Sequence, residues 1–427
     1  MSQHNILMPS LVDAKQQSRP SATSIMLTFL ALAYMLAMFD RLLMVVVAEM
    51  VKEDFSLSDK QLSLLTGAAF IVIYAFTAIA GGWIIDRTSR KKILLWALSI
   101  WSLMTAACGL AQSFVQLAFA RAGVGVGEGA IVPIGLSSIN DMYEPQKCPL
   151  AVAIFYTGGM VGTLACFLLG SWLAVNYSWR TAFFVAGPMG LGLALIMGWY
   201  GKEPDRRQNP VNVSEHGTSV NPFKLMWKNK PLVWLLLAGS ISTFANAGMM
   251  QWLPIFFMRS HEMGLAQIGL FFGPVMAGGM AGGMMLGGWV GNRIAGKSST
   301  SLVVFSGWSM VGLIPFYFFV FWVDSMVVAL LGTFLATAFS VLYSPCFTSA
   351  WQTICDPRAC GTTAGVQGLM TNVIGAALCT FAVGWLSDLL SPKFGIESLR
   401  FALIASLSFL LLGGVLFGAS AKLIKKL

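Results

Sequence analysis

Residues 82–94 read GWIIDRTSRKKIL. An apolar run ends there, a polar turn follows, and a basic segment opens the next apolar run. The flanking runs, 61–85 and 93–120, carry no Asp, Glu, Lys or Arg. About 20 apolar residues in a helix are enough to cross a bilayer. The stretch therefore reads as a tight turn between two membrane-crossing helices.

The pattern repeats along the chain. Further charge-free runs cover 181–201, 231–258, 263–292, 298–323, 325–355, 359–387 and 401–421. Twelve candidate spans result, near 22–48, 60–85, 92–112, 115–139, 148–173, 180–201, 231–258, 263–292, 299–322, 325–350, 359–388 and 397–420. Composition agrees. The chain is 56% hydrophobic and 11% charged, with mean hydropathy +0.74, whereas soluble proteins carry about 25% charged residues. The fold class is an all-α membrane protein.

The net charge of +9 follows loop topology. Of 27 Lys and Arg, 19 fall in the termini and even loops and six in the odd loops, while Arg41 and Arg121 fall inside spans. Cytoplasmic loops carry the basic excess, so both termini are expected in the cytoplasm and the protein in the cell's inner membrane. A nucleic-acid partner would need one basic patch, and none forms. The N-terminus, MSQHNILMPSLVDAKQQSRPSA, is polar and lacks a cleavable signal's order. The seven cysteines make no CxxC pair and read as small buried hydrophobes. No metal or organic cofactor is expected.

The longest polar stretch, 202–230, divides the chain nearly in half. The expected organisation is a tail (1–21), a six-helix bundle (22–201), a cytoplasmic linker (202–230), a second six-helix bundle (231–420) and a short tail (421–427). The halves echo each other. GGWIIDR at 81–87 returns as GGWVGNR at 287–293, at the end of the equivalent span. Parallel repeats of this kind place a binding site near mid-membrane between two halves that rock around it. One chain then builds a whole pathway, so a monomer is expected.

The basic turn also contains Asp86, which the helix dipole disfavours at a C-terminus unless it has a partner. With that acid, residues 82–91 resemble the signature loop of the major facilitator superfamily, G-x-x-x-D-R-x-G-R-[KR]. One position departs, since Ser89 stands where the family usually has glycine. The resemblance implies the two-bundle facilitator fold. It also implies that Gly82, Asp86, Arg87 and Arg90 form a cytoplasmic latch holding the outward-facing state.

Residues 119–133, FARAGVGVGEGAIVP, hold Arg121 and Glu128 two turns apart in the fourth span. The first span adds Asp40 and Arg41 in YMLAMFDRLLMVVV. Ionisable residues at membrane depth point to function, and replacing a buried ion pair by apolar packing is often neutral or stabilising. Scaffolding alone is therefore a weak reason to bury four charges. Asp40 and Glu128 are the candidate proton carriers. Arg41 and Arg121 are the candidate anion ligands, able to bind a carboxylate or phosphate bidentately. These pairs, with FSLSDKQLSLLTGAAF at 55–70, are similar to the spinster branch of the superfamily. That resemblance covers most of the N-terminal half and implies proton coupling and a lipid-like substrate, such as a lysophospholipid. The fifth span lacks the Gly-Pro of the superfamily's antiporter motif.

Further candidate substrate contacts are Phe155 and Tyr156 in the fifth span, Asn246 in the seventh, Tyr343 and Phe347 in the tenth and Gln367 in the eleventh. A cavity charged on one side and apolar on the other suits an amphipathic anion, either a lysolipid or a small aliphatic or aromatic carboxylate. A membrane enzyme is disfavoured, because His4, His216 and His261 all lie in tails or loops. A channel needs neither two halves nor a latch.

Overall fold

The computed structural model describes residues 20–85, 88–144, 147–201, 222–295, 298–356 and 360–425. Among these residues the chain is helical. The N-terminal half contains α1 (Thr23–Val46), α2 (Asp59–Ala78, continuing helically to Ile85), α3 (Arg90–Leu110), α4 (Phe114–Met142), α5 (Leu150–Asn176) and α6 (Trp179–Tyr200). The C-terminal half contains α7 (Lys230–Ser260), α8 (Leu265–Ile294), α9 (Ser299–Trp322) and α10 (Met326–Ile354).

A last apolar run, Thr363–Ile424, spans 62 residues. A helix of that length would extend about 90 Å, three times the hydrocarbon thickness. The chain breaks it at the 3-10 turn Gly395–Glu397, where Gly395 takes φ of 55°. Only glycine enters that region without strain. Two crossings result: α11, which ends with Leu378–Phe394, and α12 (Ser398–Ile424). They pack against each other, completing twelve spans.

Within the first half, α1 packs on α5 and α6, α3 on α4 and α6, and α2 on α4. Within the second half, α7 packs on α11 and α12, α9 on α10 and α12, and α8 on α10. The second set is the first shifted by six helices, so the repeat hinted at by GGWIIDR and GGWVGNR is a repeat of packing. Missing side chains make it possible. A Cβ on Gly158 or Gly162 of α5 would lie within 2.2 Å of the α1 carbonyls of Ala31 or Met35. Glycines 279, 283 and 287 of α8 press the α10 backbone in the same way. Small residues substitute for a hydrophobic drive that lipid cannot supply.

The halves meet mainly along two seams, α2 with α11 and α5 with α8, and α1 also touches α7. Each of these four helices carries a π-helical segment: Leu64–Ala68, Cys166–Gly170, Ile268–Phe272 and Met370–Ala377. The segments of α2 and α11 touch, as do those of α5 and α8. Such segments interrupt the regular ladder, are rare, and are frequent at functional sites. A short helix, Pro222–Lys228, precedes α7.

Candidate functional site

The four membrane-depth charges converge because α4 is built from glycines on two faces. Gly125 and Gly129 lie against Phe70 and Tyr74 of α2, where an added Cβ would come within 2.7 and 2.6 Å of a carbonyl oxygen. Gly123 and Gly127 lie against Met104 and Trp101 of α3. The alternation in GVGVGEG thus seats α4 between two neighbours at backbone distance. The helix is then interrupted. One segment ends at Glu128 and the next begins at Ile131. Pro133 is the cause, since it cannot donate to the carbonyl four residues earlier, that of Gly129. Glu128 sits at this interruption.

The charges pair between helices. Arg41 Nη2 donates to Glu128 Oε2 at 3.2 Å. Arg121 Nη1 lies 3.9 Å from Asp40 Oδ1, and Thr105 of α3 donates its hydroxyl to Asp40 Oδ2. The two pairs differ in access. The Arg41 side chain is 25% exposed and its partner Glu128 is 0% exposed, whereas Arg121 and Asp40 are both sealed. Of the two candidate arginines, Arg41 is therefore the one with open surface. Arg121 faces inward, and none of its guanidinium nitrogens makes a hydrogen bond among the described residues.

Aromatic rings complete the cluster. Phe70 stands between the two arginines, 5.1 Å from Arg41 and 5.0 Å from Arg121. Tyr74 lies 4.5 Å from Arg41. Cation–π contact stabilises a guanidinium where water is scarce. Sequence reading missed Phe70, Tyr74 and Thr105. The four-residue spacing of Phe70 and Tyr74 is one helical face, the only signal available.

Tyr34, also missed, stacks on Phe155 at 4.7 Å and meets Tyr156 edge-on at 5.6 Å. Of that trio Phe155 is buried and Tyr156 is exposed. In the C-terminal half Phe347 is packed against Gly239 and Phe417, inside its own bundle. Neither Phe155 nor Phe347 offers open surface, because each fills the gap over a glycine. Tyr343 contacts Thr243 through its hydroxyl at 3.2 Å. Asn246 accepts from Tyr317 at 3.5 Å. Gln367 donates to Thr371 on its own helix at 2.8 Å, and its Oε1 is buried without a hydrogen bond. Gln251 reaches across the halves to the Thr66 carbonyl at 3.4 Å.

Of the latch residues, Asp86 and Arg87 lie outside the described residues, and Gly82 is described only as helix. Arg90 is buried and donates to Asp141 at the end of α4. Asp141 had no sequence signal beyond its loop position. The pair joins two helices of the same half. Asp141→Asn is expected to lower the melting temperature and to loosen the α2–α3 turn. Protease sensitivity of that turn, compared with wild type, is the check. An unchanged cleavage rate would leave the pair without a structural role.

The Major Facilitator Superfamily model matches residues 30–380. An MFS-type efflux pump from Mycolicibacterium smegmatis is 28% identical over 91% of this chain and 90% of its own length. A cis,cis-muconate transport protein from Acinetobacter baylyi is 28% identical over 54% of this chain and 59% of its own. A bacterial homologue of the human lysosomal transporter spinster, solved inward-facing and unoccupied, superimposes with a TM-score of 0.87 at 25% identity. It covers 96% of this chain and 99% of its own.

Proposed function

The chain belongs to the Major Facilitator Superfamily, in its spinster-like branch, and from that premise we propose that it carries an amphipathic organic anion together with a proton by alternating access. One observation carries the reading: a partly exposed arginine, Arg41, hydrogen-bonded to a sealed carboxylate, Glu128, at membrane depth. Asp40, Arg41, Arg121 and Glu128 are together formally neutral. An anion bound to Arg41 adds one negative charge in a medium where unbalanced charge is expensive. A proton on Glu128 restores neutrality and releases Arg41 for the anion. Binding of anion and proton is thus linked by charge balance. Asp40 is the second carboxylate of the relay. Arg121, which lacks hydrogen bonds, is the counter-charge that can turn from Asp40 towards Glu128.

The substrate body rests against apolar surface. Tyr74 lies 4.5 Å from Arg41, and Tyr34 meets Tyr156 edge-on. The C-terminal half contributes Tyr343 and Asn246, and its charge-free runs bring no charge at this depth. This asymmetry fits a charged head and an apolar tail, with a lysophospholipid or related lipid as the leading class. The muconate-transporting relative favours a second class, small carboxylates. A thermal-shift panel of lysophospholipids and aliphatic and aromatic carboxylates, followed by proteoliposome uptake of the hits, separates the two. Stabilisation by neutral analogues equal to that by the anions would defeat the reading.

The basic-loop asymmetry supports a cytoplasmic side for both termini and the 202–230 linker, and we take the membrane to be the inner membrane. Reporter fusions at residue 210 and at the C-terminus are expected to give cytoplasmic signals. An external signal at either point would overturn the topology.

A further inference from the structure

A second cluster of charges, remote from Arg41 and Glu128, joins the two halves on the membrane face opposite the linker. Arg259, in the last turn of α7, donates to Glu49 Oε1 through Nε at 3.0 Å and Nη2 at 2.6 Å. The same guanidinium donates to both oxygens of Asp59 at 2.7 Å. Lys52 donates to Asp59 at 2.5 Å, and the Ser387 hydroxyl at 2.7 Å. Asp388 of α11 accepts the backbone N–H groups of Asp59 and Lys60 at 2.8 and 2.7 Å.

The last contact is a helix cap supplied from the other half. The first N–H groups of a helix have no partner of their own and favour a negative charge. Ser58 and Gln61 cap α2 from within its own half, and Asp388 completes the cap across the seam. Geometry and burial make the network more than a surface pair. Arg259 is 13% exposed and Asp59 5%, and the bonds are charge-assisted and forked. Gly384 brings α11 against the Asp59 carbonyl, where a Cβ would lie at 2.5 Å. Glu49, Lys52 and Asp59 belong to one half; Arg259, Ser387 and Asp388 belong to the other. Separating the halves at this end breaks every one of these cross-seam bonds together. Water then rehydrates ions and amides, which an apolar seal would not allow.

We propose that Arg259 and Asp388 form an external clamp that holds the outer mouth shut in the inward-facing state. The proposal rests on the alternating-access reading. It gives the cycle a second fastening, at the opposite face from the latch expected around Asp86.

The test places nitroxide pairs on a full-length background whose native cysteines are replaced. Tyr177→Cys with Asp324→Cys reports the clamp face, both positions being exposed on loops of opposite halves. Lys147→Cys with Ser298→Cys reports the other face. In Arg259→Gln/Asp388→Asn the open-to-closed ratio at the clamp face is expected to rise at least about tenfold, equivalent to about 1.4 kcal/mol. The other pair shortens in step. Asp54→Asn, which breaks the Asp54–Arg180 pair inside one half, leaves both distributions unchanged. Arg259→Lys keeps the charge, loses the fork and gives a smaller shift, which covers failure of the double variant to fold. Folded clamp variants with the parent's distances would overturn the clamp and leave the transport reading standing. Lengthening at the clamp face without shortening opposite would keep the clamp and defeat alternating access.

Discussion

Glu128→Gln is expected to abolish accumulation driven by a pH gradient while leaving the protein folded and able to bind substrate. The amide keeps the shape of the side chain and its acceptor towards Arg41, but it cannot take up and release a proton. For one proton per anion, each pH unit across the membrane supports up to about tenfold accumulation, since a tenfold ratio corresponds to 1.4 kcal/mol. Proteoliposomes containing wild type should approach that ratio. Glu128→Gln should settle at equal concentrations inside and outside, with exchange of labelled for unlabelled substrate retained. The comparison with Asp40→Asn is informative because the two acids differ in surroundings. Asp40 is held by Thr105 beside a sealed arginine, so its change should combine a coupling defect with lost stability. The decisive protein is the double variant Asp40→Asn/Glu128→Gln. Gradient-driven accumulation by it would show that the acids are scaffolding.

Arg41→Ala is expected to weaken substrate binding by about tenfold to a hundredfold, the value of one or two hydrogen bonds from a charged donor, about 1.5–3 kcal/mol. Arg41→Lys should recover part of this, because an ammonium keeps the charge but not the planar fork. Arg41→Ala also strips the sealed Glu128 of its cation, but that pair is open through the guanidinium, 25% exposed. Arg121→Ala, where both members are sealed, should act differently. It leaves Asp40 buried without its cation, a loss of about 3–5 kcal/mol when one partner of a buried pair is removed. The expected result is a lower melting temperature with affinity changed less than in Arg41→Ala. Titration calorimetry and thermal denaturation on the same preparations separate the two arginines. Normal affinity in Arg41→Ala together with lost affinity in a folded Arg121→Ala would reverse the assignment and place the anion at the inner pair.

The sequence was most legible where membrane physics leaves few choices. Backbone amides in lipid must bond within a helix, so runs such as 61–85 and 231–258 could be read as spans without knowing any neighbour. Ionisable groups in such runs are costly, so Asp40, Arg41, Arg121 and Glu128 stood out individually. The contacts among them were not legible. Arg121 and Glu128 share a face of α4, yet each finds its partner on α1. Phe70, Tyr74 and Thr105 were passed over because an aromatic or threonine in a span resembles any packing residue until an arginine or carboxylate lies against it. Phe155 and Phe347 were named for their aromatic character, and the packing of each over a glycine was not legible.

The cross-half network was hidden more deeply. Glu49, Lys52, Asp59, Arg259 and Asp388 lie at helix ends, where charges are usually solvated and carry no signal. Only the meeting of α2 with α11 and of α1 with α7 turns them into a buried cluster. By itself, the sequence determined the membrane solvent, the spans, the repeat of halves and the presence of four charges at depth, because each of these follows from local hydropathy and spacing. The tertiary structure decided which arginine is open, which acid each one holds, and that Asp388 caps a helix of the other half. Those are properties of distance between segments far apart in the chain, and they come into being only when glycine-lined helices close to backbone contact.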